Sequence, residues 1–370
     1  VAYPSDLKAL TSLRFVAAFW LLLYHFRDHL GFGLDEASGF IAMGKLGVDL
    51  FFVLSGFILA HVYLPEVERG SYHHGRFLWL RLARVYPLHL ITLLGMVVIW
   101  GGATLAGVSF GAEGFKLADL PAHLLLLQAW GTVGNVGWNF PSWSVSAEWF
   151  AYLCFPLFAW VAVKLRNRPW VMLSLAALLL IAFDRMTLGL ATSSITERTS
   201  NFGILRIIPS FGMGVALYLL GTARPLATTF AWPLVIGSLG WIVIASELRV
   251  DPLLVFPGLL GLVFGLAEVS RRGLDGAFGG RAMVYLGEVS YAVYMVHLLV
   301  DIVWYHGLER FGISAASPDL IKGIALVGAI LASIAAAIIA HHAVEKPARV
   351  IMRRWSEGWF VPKGMKVAAE

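Results

Sequence analysis

The sequence predicts an all-α protein, a polytopic transmembrane helix bundle of about ten spans. Three observations carry that reading. Hydrophobic residues make up 59% of the chain and charged residues only 14%, whereas soluble domains carry about a quarter charged residues to cover their surface. Apolar runs of about 20 residues recur along the chain, the length a helix needs to cross a hydrocarbon core of roughly 30 Å. Ten-residue stretches of alternating apolar and polar residues, which a β-barrel needs, do not occur.

The spans are expected at 10–30, 44–64, 83–105, 146–165, 170–190, 204–221, 231–246, 253–269, 283–306 and 320–342. Basic residues punctuate alternate ends of these runs. Lys8 and Arg14 lie at the start of the first, Arg69 follows the second, and Arg76, Arg81 and Arg84 lead into the third. Lys164, Arg166 and Arg168 close the fourth, Arg224 follows the sixth, Arg271 and Arg272 follow the eighth, and Arg281 precedes the ninth. The first run lacks an A-x-A-like cleavage site, so it reads as a retained helix. An even number of spans puts both termini on one side. With that side inside, it holds 19 of the 28 lysines and arginines, and the positive-inside rule makes it cytoplasmic. The expected location is therefore a bacterial inner membrane.

Residues 107–145 do not fit a plain loop. Leu120–Trp130 is apolar but too short to span, and Gly131, Gly134, Asn135, Gly137, Asn139 and Pro141 follow it. A short helix with irregular backbone reads as an external cap or a re-entrant segment, tolerated at membrane depth where protein or water surrounds it. Residues 1–342 are expected to form one transmembrane domain and 343–370 a basic cytoplasmic tail. The net charge of +5 comes from orienting residues, not a nucleic-acid surface, and no nucleic-acid partner is expected. The lone Cys154 leaves no disulfide framework and no CxxC metal site, and no His/Asp/Glu pair has HExxH-like spacing, so no metal is expected.

Ionisable groups inside a span are costly and mark function by default. Arg14 and His25 are 11 residues apart. At about 100° per residue that places them on one helix face, separated by about 16 Å along the axis. Asp28 and His29 follow His25 at i+3 and i+4, where a carboxylate one turn away suits a general base. Set against this, Arg14 snorkelling and His25, Asp28 and His29 in interfacial water explain the spacing equally well. Asp49, in the block Gly47–Gly56, opens the second span and reads first as an acid complementing the helix dipole. Gly47 and Gly56 permit close helix approach. Arg81 and Arg84 are i,i+3 neighbours whose guanidinium groups suit phosphates, though an inside RxxR is more often an orientation anchor. Ser142, Trp143 and Ser144 precede Glu148, which is either a capping acid or a charge facing a polar cavity. Arg206 opens the sixth span, and Tyr291, Tyr294 and His297 lie within the ninth. His297 alone reads as a packed core histidine.

The ordered set Arg14-x10-His25, GVDLFFVLSGF at 47–57, RLARVYP at 81–87, PSWSVSAE at 141–148, LGEVSYAVYMVH at 286–297 and Glu345-Lys346-Pro347 resembles the membrane-bound acyltransferase-3 family over nearly the whole chain. The resemblance implies ten core helices, acetyl-CoA supplied from the cytoplasm as donor, and O-acylation of a sugar hydroxyl on an exopolysaccharide, lipopolysaccharide or related glycan. It implies that Arg14 and His25 are essential and that Arg81 and Arg84 serve the acyl-CoA end. On this reading His25 is a catalytic base or acyl carrier, with Asp28 or Glu148 holding its imidazole. Arg14, Arg81 and Arg84 bind the donor, and Asp49, Ser142, Trp143, Ser144 and Arg206 face the acceptor. The expected partners are acyl-CoA, a glycan or lipid-linked sugar, and membrane lipid. Larger family members append a periplasmic esterase-like domain, for which this sequence has no room. The rival class is a transporter or flippase for a lipid-linked sugar or acyl donor, which also buries His, Asp and Arg. No internal duplication supports it.

Overall fold

The computed structural model describes residues 2–31, 33–107, 115–134, 137–191 and 193–360. Among these there is no strand, and nine helices are long and apolar enough to cross a membrane. In chain order the long helices are α1 (Lys8–Phe26), α2 (Gly47–Glu68), α3 (His74–Leu105), α4 (Trp143–Leu153), α5 (Phe155–Lys164), α6 (Pro169–Ala191), α7 (Ile204–Ala223), α8 (Thr228–Glu247), α9 (Phe256–Arg271), α10 (Arg281–Arg310), α11 (Asp319–Ala340) and α12 (Lys346–Phe360). The expected span at 146–165 is the pair α4–α5, bent by 55° at Cys154. Pro156 explains the bend, because it offers no N–H to the carbonyl four residues back and its ring crowds that carbonyl. Counted as one span, the pair brings the described total to ten.

The bundle centres on α7, which packs along α2 and α6, while α1 pairs with α10 and α10 with α11. Water does not drive helices together inside a bilayer, so close backbone approach must supply the contact. A Cβ on Gly56 would lie 2.1 Å from Phe211 O, and one on Gly214 would lie 2.0 Å from Val53 O. Gly287 brings α10 equally close to Thr11 O on α1. The periphery is inverted relative to a soluble protein. Leu175, Leu178 and Ile181 on α6 and Ile324, Val327 and Leu331 on α11 are exposed, as a lipid-facing surface requires.

Two expectations about element limits are corrected. The first span stops at Phe26, short of residue 30, because Leu30 takes a left-handed conformation (φ 58°) that an α-helix cannot continue. Among the described residues between 107 and Ser142 only Leu120–Leu124 is α-helical, and the run to Trp130 is broken at Leu126 (φ 57°). His123, Leu126, Gln128, Trp138 and Asn139 are buried, so this segment packs into the bundle. Gln128 donates to Ser142 O, and Asn139 donates to Thr92 Oγ1 at 2.9 Å. Asn135 lies outside the described residues. At the C-terminal side, α11 passes through a π-turn at His341–Glu345 into α12. Trp79 of α3 donates to Met352 O at 2.7 Å and packs edge-on to Trp359, holding α12 along α3. Residues 361–370 lie outside the described part.

Candidate active site

A cavity of about 140 Å³ opens among α1, α2, α3, α4 and α10. Arg14, Arg81, Arg84, Glu148, Ser144 and Ser55 are among the residues that line it. Three arginines from two helices thus meet one carboxylate in one space. Arg81 and Arg84 sit one turn apart on α3, so their guanidinium groups enter from the same side. Ser55 donates to Glu148 Oε1 at 2.5 Å, and Tyr63 accepts from Arg81 Nη2 at 3.1 Å. Arg84 is held from behind by Glu345 at 2.9 Å, a carboxylate only 1% exposed, which also meets His341 Nδ1 at 2.9 Å. The π-turn is what brings Glu345 and His341 to face α3. Arg81 Nε and Arg84 Nη2 are nevertheless buried without a partner. Buried guanidinium donors that lack an acceptor are costly and call for an anionic group to satisfy them.

The other end of the cavity is closed by Ser144 and Tyr294, whose hydroxyls share a 2.6 Å hydrogen bond. The Tyr294 carbonyl accepts from His297 Nδ1 at 2.7 Å. A carbonyl can only accept, so in the neutral ring Nε2 of His297 carries the lone pair. That Nε2 is buried and has no partner. The His297 ring stands edge-to-face against His25, with centroids 4.9 Å apart. Phe140 completes the wall on the other side of His25, at 6.0 Å. The Arg14–His25 face of α1 therefore runs from the arginine cavity to a two-histidine level, and α10 supplies the second histidine.

Several expected groups are placed elsewhere. Asp28 lies past the end of α1, is 62% exposed, and pairs with Arg27 at 3.1 Å. Glu148 is one of the arginine-cavity residues, and the rings packed on His25 are Tyr24, Phe140 and His297. The imidazole thus has a histidine beside it where a carboxylate was expected. Asp49 and Arg206 are buried against each other in a bidentate pair at 2.9 and 2.5 Å, with the guanidinium over the Trp143 ring at 5.2 Å. They join α2 to α7 and do not line the cavity. Ser142 accepts from Gln128 Nε2 at 3.1 Å, and of the Ser142–Ser144 group only Ser144 reaches the cavity wall. His29 meets Asp301 at 2.7 Å. Sequence reasoning passed over His297, Asp301 and Glu345 as functional groups. The signal for the first two was available, since they are four residues apart on one helix and so share a face.

A family model described as an acyltransferase domain, Acyl_transf_3, matches residues 7–342. Similar curated proteins include Acyltransferase MdmB of Streptomyces mycarofaciens, 29% identical over 94% of this chain and 93% of its own length. Peptidoglycan O-acetyltransferase OatA of Listeria monocytogenes is 27% identical over 45% of this chain and 26% of its own length. Protein 2 in picA locus of Rhizobium radiobacter is 41% identical over 24% of this chain and 44% of its own length. No solved structure matches the chain. With nearly the whole transmembrane bundle inside the matched region, the chain belongs to the acyltransferase-3 family and is a multi-pass membrane acyltransferase.

Proposed function

We propose that the protein transfers an acetyl or related acyl group from cytoplasmic acyl-CoA to a hydroxyl of a glycan or lipid-linked sugar, at the bacterial inner membrane. The observation that carries this reading is the cavity in which Arg14, Arg81 and Arg84 converge, with Arg81 Nε and Arg84 Nη2 unsatisfied, and whose Tyr294 end lies one helical turn from His297, the ring packed on His25. CoA is a phosphate-rich anion with a long thin thioester arm, and guanidinium groups bind phosphate through charge-assisted hydrogen bonds. The excess of Lys and Arg near the arginine end of the bundle supports a cytoplasmic location for that end and for both termini. The phosphates then bind at the arginines while the pantetheine arm carries the thioester about 16 Å along α1 toward His25.

At that level His25 takes the proton of the acceptor hydroxyl as its oxygen attacks the thioester carbonyl. The C–S bond breaks, the acyl group stays on the sugar oxygen, and the proton on His25 passes to the departing CoA thiolate. The Tyr294 hydroxyl donates to Pro141 O at 2.6 Å, so Ser144, at the cavity end nearest His297, is the hydroxyl that would turn from Tyr294 to the developing oxyanion. OatA, whose name records O-acetylation of peptidoglycan, supports a glycan acceptor.

Purified protein in nanodiscs, given acetyl-CoA with and without a membrane glycan fraction, tests the reading through release of free thiol. Acceptor-dependent CoA release with acetyl on the glycan is expected. Translocation of acetyl-CoA or of a lipid-linked sugar without thioester cleavage would overturn it in favour of a transporter. Rapid quenching into denaturant near neutral pH, followed by intact-mass measurement, separates the two uses of His25, because an acyl-histidine intermediate would add the acyl mass to the protein and direct transfer would add none.

A further inference from the structure

Beyond the two-histidine level, the short 3-10 turn His29–Gly31 that follows α1 still faces α10. Asp301 and Tyr305 lie four and eight residues after His297 on α10, a spacing that keeps them on the His297 face. The contact between His29 and Asp301 makes this the next rung. At this next rung His29 Nε2 meets Asp301 Oδ1 at 2.7 Å, and its ring stacks on Tyr305 at 4.0 Å with an interplanar angle of 11°. The Phe26 ring contacts His29, His297 and Tyr305, so both rungs share one wall.

Two features of this rung are not those of a closed structural lock. The Tyr305 hydroxyl is buried with no hydrogen-bond partner, on a residue only 5% exposed. A helix contact needing only an aromatic ring would place a phenylalanine there, since an unsatisfied buried hydroxyl costs stability. In addition, α1 is stopped beside the rung by the left-handed Leu30 (φ 58°), a strained backbone state of the kind that collects at binding sites. The His29 side chain is 33% exposed, which leaves the rung open on that side.

We propose that His29, Asp301 and Tyr305 form an acceptor subsite for a neutral polyhydroxylated ring, a sugar, and seat it so that one hydroxyl reaches His25. The chemistry selects that class. The carboxylate accepts hydrogen bonds from hydroxyls and repels an anionic acceptor. The phenol both donates and accepts. This assignment rests on the acyl-transfer reading above and adds what lies at the acceptor end.

The test uses the full-length protein in nanodiscs with acetyl-CoA, a panel of octyl glycosides as acceptor probes, and n-octanol as a probe with one hydroxyl and the same tail. Tyr305→Phe removes an atom with no protein partner, so a structural role predicts no loss. The subsite predicts a rise in KM for the best glycoside of about five- to tenfold, the scale of one neutral hydrogen bond. Asp301→Asn, isosteric and uncharged, should raise it on the order of thirtyfold, the scale of a hydrogen bond to a charged group. KM for acetyl-CoA and turnover with octanol should stay within about twofold in both, against the tenfold that corresponds to 1.36 kcal/mol. Unchanged glycoside kinetics in a folded Tyr305→Phe protein, or a wild type that acetylates octanol as well as every glycoside, would overturn the subsite and leave acyl transfer standing. A wild type that releases no CoA with any acceptor would overturn the acyl-transfer reading, and this subsite with it.

Discussion

Asp49 and Arg206 show how the structure turns an expected substrate contact into a stability argument. Their side chains are 0% and 2% exposed, and the carboxylate takes both Arg206 Nε and Nη2, at 2.9 and 2.5 Å. Nη2 also donates to Lys45 O at 3.0 Å. Asp49→Ala removes the carboxylate and strands the guanidinium in the packed interface between α2 and α7. Removing one partner of a buried ion pair costs about 3–5 kcal/mol, because the remaining charge is left uncompensated. Unfolding entropy near 2.1 cal/mol/K per residue gives a chain of 370 residues roughly 0.8 kcal/mol/K, so the midpoint should fall by about 4–6 °C. The assay is loss of helical ellipticity on heating in detergent micelles. Below the new midpoint, KM for the acceptor should stay within about twofold of wild type, well short of the tenfold that 1.36 kcal/mol corresponds to. Replacing both groups with apolar side chains, Asp49→Leu with Arg206→Met, should recover most of the lost stability, since the burial cost disappears along with the pair. A wild-type midpoint for Asp49→Ala, together with a raised acceptor KM, would refute the reasoning and return Asp49 to the acceptor site.

The donor site predicts that Arg81→Ala weakens acetyl-CoA binding by about 1.5–3 kcal/mol with little change in kcat, measured by thioester kinetics, and an unchanged KM would make Arg81 an orientation anchor only. Arg84→Ala should weaken the donor similarly and also lower the unfolding midpoint, because it leaves the buried Glu345 carboxylate with His341 alone. His25→Ala should cut transfer by at least about 10²–10⁴-fold while leaving CoA binding intact, and vigorous glycan acetylation by the folded variant would remove the base from the mechanism. Asp28→Asn should be silent in kcat and KM, since Asp28 pairs with Arg27 at the exposed surface; a clear kcat loss would restore it as the orienting acid. A cysteine at position 116 in a Cys154-free variant should label only from outside the cell, and labelling only from the cytoplasm would invert the topology.

The spans were legible because membrane burial writes a one-dimensional signal, about 20 apolar residues bounded by charge. What that signal lacks is local backbone chemistry. Hydropathy carries the first span to residue 30, yet the helix ends at Phe26, and Leu30 (φ 58°) turns left-handed just before Gly31 (φ 66°), a glycine signal that hydropathy does not register. The kink at Cys154 was readable from Pro156. The helix α12 was not, because its basic and aromatic residues resemble a solvated tail until Trp79 and Trp359 meet across it.

The arginine end of the cavity was legible for a related reason: Arg14, Arg81 and Arg84 are charges in or beside apolar runs, and such charges stand out without any knowledge of packing. They do converge on one cavity. The ring beside His25 was hidden because a one-helix argument looks for a partner at i+3 or i+4, which selected Asp28, with Glu148 from another span as the alternative. The structure pairs α1 with α10 instead, so that His25 meets His297 and His29 meets Asp301. The His297/Asp301 pair on α10 faces His25 at the end of α1 and His29 in the turn after it, a ladder that neither helix displays alone. Its register depends on Gly287, whose Cβ would collide with Thr11 O at 2.0 Å. A side chain there would force α1 and α10 apart and separate both rungs together. The two rungs therefore share one helix contact, at Gly287 and Thr11, that includes none of their own residues.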